Sequence, residues 1–175
     1  MTAALIVKVR DIKELLARGR IDPGAAFPEI RALAASDRWQ TREVAATTLV
    51  EIGKRHATAV LRQARLWAKD KDPNVRRAAS EGLRGIVKVD PEAVRPIIET
   101  LRADPDLYVK KSVANVLRNA SGKHAEFVLG VCRQWARSRS PHTRWIVKDG
   151  LRKLKTSRPR EVAAVLASGN VPASR

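Results

Sequence analysis

The sequence predicts an all-α chain built as a solenoid of about four helix pairs flanked by terminal helices. Three observations carry that prediction. Apolar residues recur at helical rather than alternating spacing. The pattern repeats every 34 residues. Each unit is punctuated by a turn containing Asp, Ser or Pro. Aromatic residues are 4% of the 175, and no strand-like alternation occurs.

A lone helix is expected over about 2–18. Four units follow at roughly 24–56, 57–90, 91–124 and 125–158. Leu49, Leu83, Leu117 and Leu151 stand 34 apart, as do Leu33, Trp67, Leu101 and Trp135, and Val60, Val94 and Val128. In the second unit, Val60, Leu61, Ala64 and Trp67 form one helical stripe. Asp72 then suits a cap and Pro73 the first helical position. A second helix, expected over 73–87, turns Val75, Ala78, Ala79, Leu83 and Ile86 inward. The third unit repeats the turn with Ala103-Asp104-Pro105, the fourth with Ser138-Arg139-Ser140-Pro141. A short helix over 159–167 and a frayed tail over 168–175 complete the chain, with 1–167 expected as one domain. Trp67 and Trp135 belong to the core by their repeat position, and Cys132 aligns with the apolar Ile30, Ala64 and Ile98 as a buried thiol.

Composition narrows the function classes. An apolar fraction of 44% excludes wholesale disorder. The single cysteine excludes an intramolecular disulfide and a Cys-based metal site, which suits a reducing compartment. His56, His124 and His142 belong to no short metal-binding motif, so neither metal nor cofactor is expected. No run of 18 apolar residues occurs, so no membrane helix is expected. The N-terminus lacks the order of a signal peptide. A soluble, cytoplasmic monomer is expected. Lys and Arg number 35 against 18 Asp and Glu, a formal charge of +17 that points to an anionic partner, foremost nucleic acid.

The repeat also superposes charge. Arg42, Arg76, Lys110 and Arg144 share one column near the start of each second helix; Val50, Arg84, Arg118 and Arg152 share another two turns later. Between them lie Ala46, Ser80, Ala114 and Lys148. Spacing of i, i+4 and i+8 predicts a basic ridge on each of the last three units. With neighbouring helices about 8–10 Å apart, four leading cations span roughly 25–30 Å, close to one turn of B-DNA. No RRM, KH or zinc-finger signature is present, which favours backbone contact over base reading. Trp39, at the entry of the first unit's second helix, is read either as a DNA contact or as a wedge against the N-terminal helix.

The short, Ala-rich second helices entered through Asp-Pro-x-Val-Arg resemble HEAT repeats. The blocks VRRAASEGLR, DPDLYVKKSVANVLRNAS and TRWIVKDGLRKLKTS further resemble the HEAT-like DNA alkylation repair proteins, which include alkylpurine DNA glycosylases. The likeness covers about residues 37–166. It implies a right-handed solenoid whose concave face cradles double-stranded DNA. It also implies, in active members, excision of N3- or N7-alkylated bases without flipping them into a pocket. Cleavage of that bond builds positive charge on the deoxyribose, which a carboxylate can stabilise, and an indole can contact the cationic lesion. The candidates on second helices are Asp149, Glu81 and Trp145, with Asp149 one turn after Trp145. One departure stands out: where related glycosylases often carry an acidic residue after SVAN-x-Leu, this chain has Arg118 and Asn119. Three functions remain open: an alkylpurine glycosylase, a non-catalytic binder of damaged or branched DNA, and a HEAT scaffold for an acidic protein partner.

Overall fold

A computed structural model describes residues 9–169, with side chains from residue 11 onward. The described residues form eleven α-helices and no strand. After α1 (Val9–Ile21), the helices pair as α2 (Pro23–Ala34) with α3 (Trp39–Gly53), α4 (Ala57–Trp67) with α5 (Pro73–Glu81), α6 (Pro91–Leu101) with α7 (Leu107–Ala120), and α8 (Ala125–Ala136) with α9 (Pro141–Gly150). A single turn, α10 (Leu154–Ser157), leads to α11 (Pro159–Ser168). The first helices of successive pairs form one layer and the second helices another.

Helix entries follow local chemistry. Asp22, Asp72, Asp90, Asp106 and Ser140 each accept a hydrogen bond from a backbone N–H of the helix they precede. In the third unit the cap is Asp106 rather than Asp104 of the expected Asp-Pro turn. Asp104 instead accepts the Asp106 N–H at 2.9 Å and faces Arg76. His56 and His124 occupy the corresponding positions before α4 and α8. Their Nε2 atoms lie 2.8 Å from the Arg20 carbonyl and 3.1 Å from the Lys88 carbonyl, each in the preceding unit.

The two layers pack differently because their residues differ in size. The first helices meet through Phe27, Trp67, Phe127 and Trp135, all buried. Phe27 and Trp67 make an edge-to-face contact at 6.1 Å. The second helices meet through Ala45, Ala46, Ala78, Ala79, Ser80, Ser112 and Ala114, also buried. Small residues let the second helices approach each other more closely than the first helices do, and that difference curves the stack with the second helices inside. Glycines stand at close approaches in this layer, among them Gly19 against Ile52, Gly82 and Gly150. A Cβ on Gly82 would lie 3.0 Å from the Leu49 Cβ, and one on Gly150 would lie 2.7 Å from the Leu117 Cδ1.

Several expected boundaries shift. The second helix of unit two is not continuous over 73–87. Its α-helix ends at Glu81, and two 3₁₀ turns, Gly82–Arg84 and Ile86–Lys88, carry the chain to the next cap. Gly82 and Gly85 lower helix propensity there. The N-terminal helix runs to Ile21, beyond the expected 18, while 2–8 lie outside the described residues. Leu15 continues the column of Leu49, Leu83, Leu117 and Leu151, and all five are buried. Hence α1 takes the place of a second helix. At the other end Val162 continues the column of Val60, Val94 and Val128, so α11 takes the place of a first helix. Of the expected frayed tail, Ser168 is the last helical residue, and 170–175 lie outside the described residues. No described helix is long and apolar enough to cross a membrane.

Leu117 is fully buried, so it has little room to move away from an added methyl group. Gly150→Ala is expected to lower stability by about 1–3 kcal/mol. Urea denaturation checks this: the midpoint should fall with the slope unchanged.

Candidate nucleic-acid interface

The curved layer of second helices decides which cations can reach a ligand. The expected basic ridges are not continuous surfaces. Ala46, Ser80 and Ala114, the middle members, are buried because each faces the next second helix. The Ser80 and Ser112 hydroxyls hydrogen-bond across one such seam. Lys148, in the same column, is exposed because no second helix follows α9 in the described residues. The columns one residue further round, Glu43, Arg77, Lys111 and Trp145, then Thr47, Glu81, Asn115 and Asp149, reach the surface at Thr47 and Lys111, are partly covered at most other positions and are buried at Glu81.

The leading cations have a structural task. Arg42 Nη1 donates to the carbonyls of Ser36 and Asp37, both at 2.8 Å. Arg76 Nη1 does the same to Asp70 and Lys71 at 3.0 and 3.1 Å, and Arg144 Nη1 to Ser138 and Arg139 at 3.0 Å each. Each guanidinium thereby staples its helix to the turn that precedes it. Arg76 also clamps Asp104 of the next unit, with Nε at 2.6 Å from Oδ2 and Nη2 at 3.2 Å from Oδ1. Lys110, lacking the fork, departs from the pattern. Its Nζ lies 5.8 Å from the Trp145 ring centre and 3.3 Å from His142 Nδ1.

The candidate carboxylates are engaged. Asp149 is 17% exposed and binds Arg118 through Oδ2, while Oδ1 lies 3.3 Å from Arg152. Arg118 also donates to Asn115 Oδ1 at 3.4 Å, and Asn119 Nδ2 donates to the Asn115 carbonyl at 2.9 Å. Asn119 therefore braces α7. Glu81 is buried and lies 3.1 Å from Arg84, whose guanidinium is also 3.7 Å from Glu43; Glu43 in turn accepts from Arg77 at 3.1 Å. Trp145 packs half-buried against the core, one turn before Asp149 on α9. Cys132 is fully buried, and burial pushes its thiol pKa up to about 12, which leaves it unreactive near neutrality.

Outward-reaching charge concentrates late in the chain. Lys111 and Lys148 are exposed, and the Arg152 side chain is 68% exposed despite its contact with Asp149. Residues 125–158 hold nine Lys or Arg against two Asp or Glu, whereas 24–56 hold five against four. Trp39 is 64% exposed and lines a groove against Ile12 and Leu16 of α1, so it does not wedge tightly against that helix. Lys111 and Arg77 were not singled out in the sequence. Their column mixes Glu43, Arg77, Lys111 and Trp145, so no repeated residue type marks it.

A residue that staples a turn and pairs with a buried carboxylate should matter for folding. Arg76→Ala is expected to destabilise the protein by about 2–4 kcal/mol. Arg76→Lys should recover only part of this, since an ammonium cannot reproduce the fork. Chemical denaturation of both variants measures the difference.

Comparison with known proteins places this geometry. A family pattern described as HEAT repeats matches residues 27–118. The uncharacterized protein YhaZ of Bacillus subtilis (strain 168) is 34% identical over 150 residues, covering 81% of this chain and 41% of that protein. Among solved structures, Pseudomonas fluorescens alkylpurine DNA glycosylase AlkC, bound to DNA containing an abasic site analog, superposes with a TM-score of 0.74 and 28% identity. That match covers 89% of this chain and 44% of AlkC. AlkD2 from Streptococcus mutans superposes with a TM-score of 0.68 and 27% identity, covering 85% of this chain and 76% of AlkD2. The chain thus spans about two fifths of the length of YhaZ and AlkC. With a solenoid of paired helices and a family pattern that covers more than half of its residues, the chain belongs to the HEAT-repeat proteins, and its fold is that of the AlkC and AlkD2 structures.

Proposed function

We propose that this chain binds double-stranded DNA through phosphate contacts along its curved layer of second helices. The observation that supports this most directly is the set of exposed cations on that layer, Lys111, Lys148 and Arg152. The AlkC relative, solved on DNA, has the same fold. Arg77, Arg84 and Arg118 lie beside them, held by carboxylates that keep each guanidinium oriented. A phosphate approaching Arg152 meets a planar donor fork already turned to the surface. Arg42, Arg76 and Arg144 contribute charge to this field while their Nη1 donors stay on the turns. Lys110, whose ammonium lies beside Trp145, adds to it. The partner is duplex DNA, including alkylated or branched forms. The proposed contacts read the backbone, so they carry no base sequence.

Each phosphate neutralised on duplex DNA contributes about −0.9 to the slope of log affinity against log salt. Replacing Lys148 and Arg152 together by Ala should flatten that slope by about 2 and leave helicity intact. An unchanged slope would remove the fourth unit from the interface.

A second reading, N-glycosidic hydrolysis of alkylated bases, is favoured by one observation: Trp145 and Asp149 lie one turn apart on α9, next to those cations. In that reaction the C1′–N bond breaks, and its electron pair leaves with the alkylated base and neutralises it. Water adds hydroxyl to C1′ and releases a proton. The indole would lie against the lesion, and the Asp149 carboxylate would face the positive sugar once Arg152 turned to a phosphate. Glu81, buried behind Arg84, acts only by orienting that arginine. In this reading Asp149→Asn lowers base release from methylated duplex by about a hundredfold or more, with duplex affinity retained. No release by the wild-type protein, alongside salt-sensitive binding, leaves the DNA-binding role alone.

A further inference from the structure

The inner layer changes character at its N-terminal end. Between α1 and α3 a largely apolar groove of about 310 Å³ opens, with Ile12 and Leu16 on one wall and Thr47 on the other. Trp39 stands at its lip, 64% exposed, with Gln40 and Glu43 along the rim. In the 34-residue register, Ile12 and Leu16 occupy the columns that hold Lys148 and Arg152 at the opposite end. The same face is therefore cationic at one end and apolar and aromatic at the other.

We infer that this groove is a stacking site for an unpaired nucleobase, such as the first unpaired base of a single-stranded extension beside the bound duplex. The inference rests on the duplex-binding reading. Three features favour a nucleobase over other occupants. An exposed indole offers a flat face on which any base can stack. The rim carries an amide, a hydroxyl and a carboxylate, which can donate to and accept from a base edge. The groove is also continuous with cations. Glu43, on its rim, pairs with Arg77 of α5 and Arg84 of the turn that follows α5, so its charge is neutralised and these two guanidinium groups link the groove to the next helix. Helices at about 8–10 Å spacing put a phosphate on α5 within a nucleotide or two of the groove. A peptide helix would need anchors spread over two or more turns, and the groove spans a single seam.

The test compares blunt duplex with duplexes of the same length carrying a three-nucleotide extension, of either polarity, ending in 2-aminopurine. The wild-type protein should bind one extended form about fivefold to a hundredfold more tightly than the blunt form, and quench the 2-aminopurine fluorescence. Trp39→Ala should remove the gain and the quenching, while Trp39→Phe keeps most of both. Thr47→Phe, which fills the groove with Trp39 in place, should also remove the gain while blunt-duplex affinity and its salt slope stay unchanged. Equal wild-type affinity for blunt and extended forms, with salt-dependent binding of both, would overturn the stacking site and leave the duplex reading standing. Binding of neither form would overturn both. A gain that survives both Trp39→Ala and Thr47→Phe would place the unpaired base elsewhere. A wild-type dimer that dissociates on Trp39→Ala, seen by sedimentation, would assign the groove to a second copy of the chain.

Discussion

The close approach of the second helices is the constraint on which the rest of the structure depends. It exists because the residues at their seams are Ala, Ser and Gly, while those between the first helices include Trp and Phe. Interiors pack to near-crystalline density, so a difference in side-chain volume between two layers becomes a difference in helix spacing. Repeated over four pairs, it becomes curvature. That curvature turns the same columns of each second helix toward one side. The seam also fixes what those columns can hold. Among the described residues that column holds the small Ala46, Ser80 and Ala114 at the central seams, and a cation at Lys148, after which no second helix is described.

Arginine serves two separate ends in this protein. Where its side chain folds back over its own helix entry, as at Arg42, Arg76 and Arg144, the charge is spent on turn carbonyls that would otherwise lack partners. Where it crosses to a carboxylate, as Arg118 does to Asp149 and Arg77 to Glu43, the guanidinium is oriented while only 18–19% of the arginine side chain stays exposed. These pairs tie neighbouring second helices together. They also set geometry, because the carboxylate holds the fork in place. Carboxylates arranged in this way are better placed to aim cations than to act alone as bases.

The periodic core was legible in the sequence because burial selects for the same residue size at the same place in every unit. The Leu column through Leu83 and the Trp67 and Trp135 positions are core for that reason, and Cys132 follows from its neighbours in register. Two further steps along the same columns, to Leu15 and Val162, would have shown that α1 stands in the layer of second helices and α11 in the layer of first helices. The Asp-Pro turn of the third unit misled because Asp104 and Asp106 are chemically alike and only register separates them. The cation columns were legible as columns but not as roles. A stapling arginine and an arginine that reaches into solvent have the same letter at the same spacing, and only the direction of the side chain distinguishes them. The Ser80 and Ala114 positions carried the missing signal, since small residues between two arginines mark a seam rather than a ridge.

The distribution of charge gives the face a direction. The first unit is nearly neutral and the fourth strongly basic, so an approaching polyanion meets the steepest field at the α9 end. Repulsion among those cations opposes folding of the fourth unit, and few carboxylates are present there to offset it. The compensation is structural: Asp149 shares its two oxygens between Arg118 and Arg152, and Lys110 lies against the Trp145 ring. At the α1 end the same columns carry Ile12 and Leu16, which have no attraction for phosphate. A polyanion drawn to the basic end would therefore meet a weaker field at the other. Among the described residues that end presents instead the flat, exposed ring of Trp39 beside an apolar groove, so the two ends of the face suit different chemical partners.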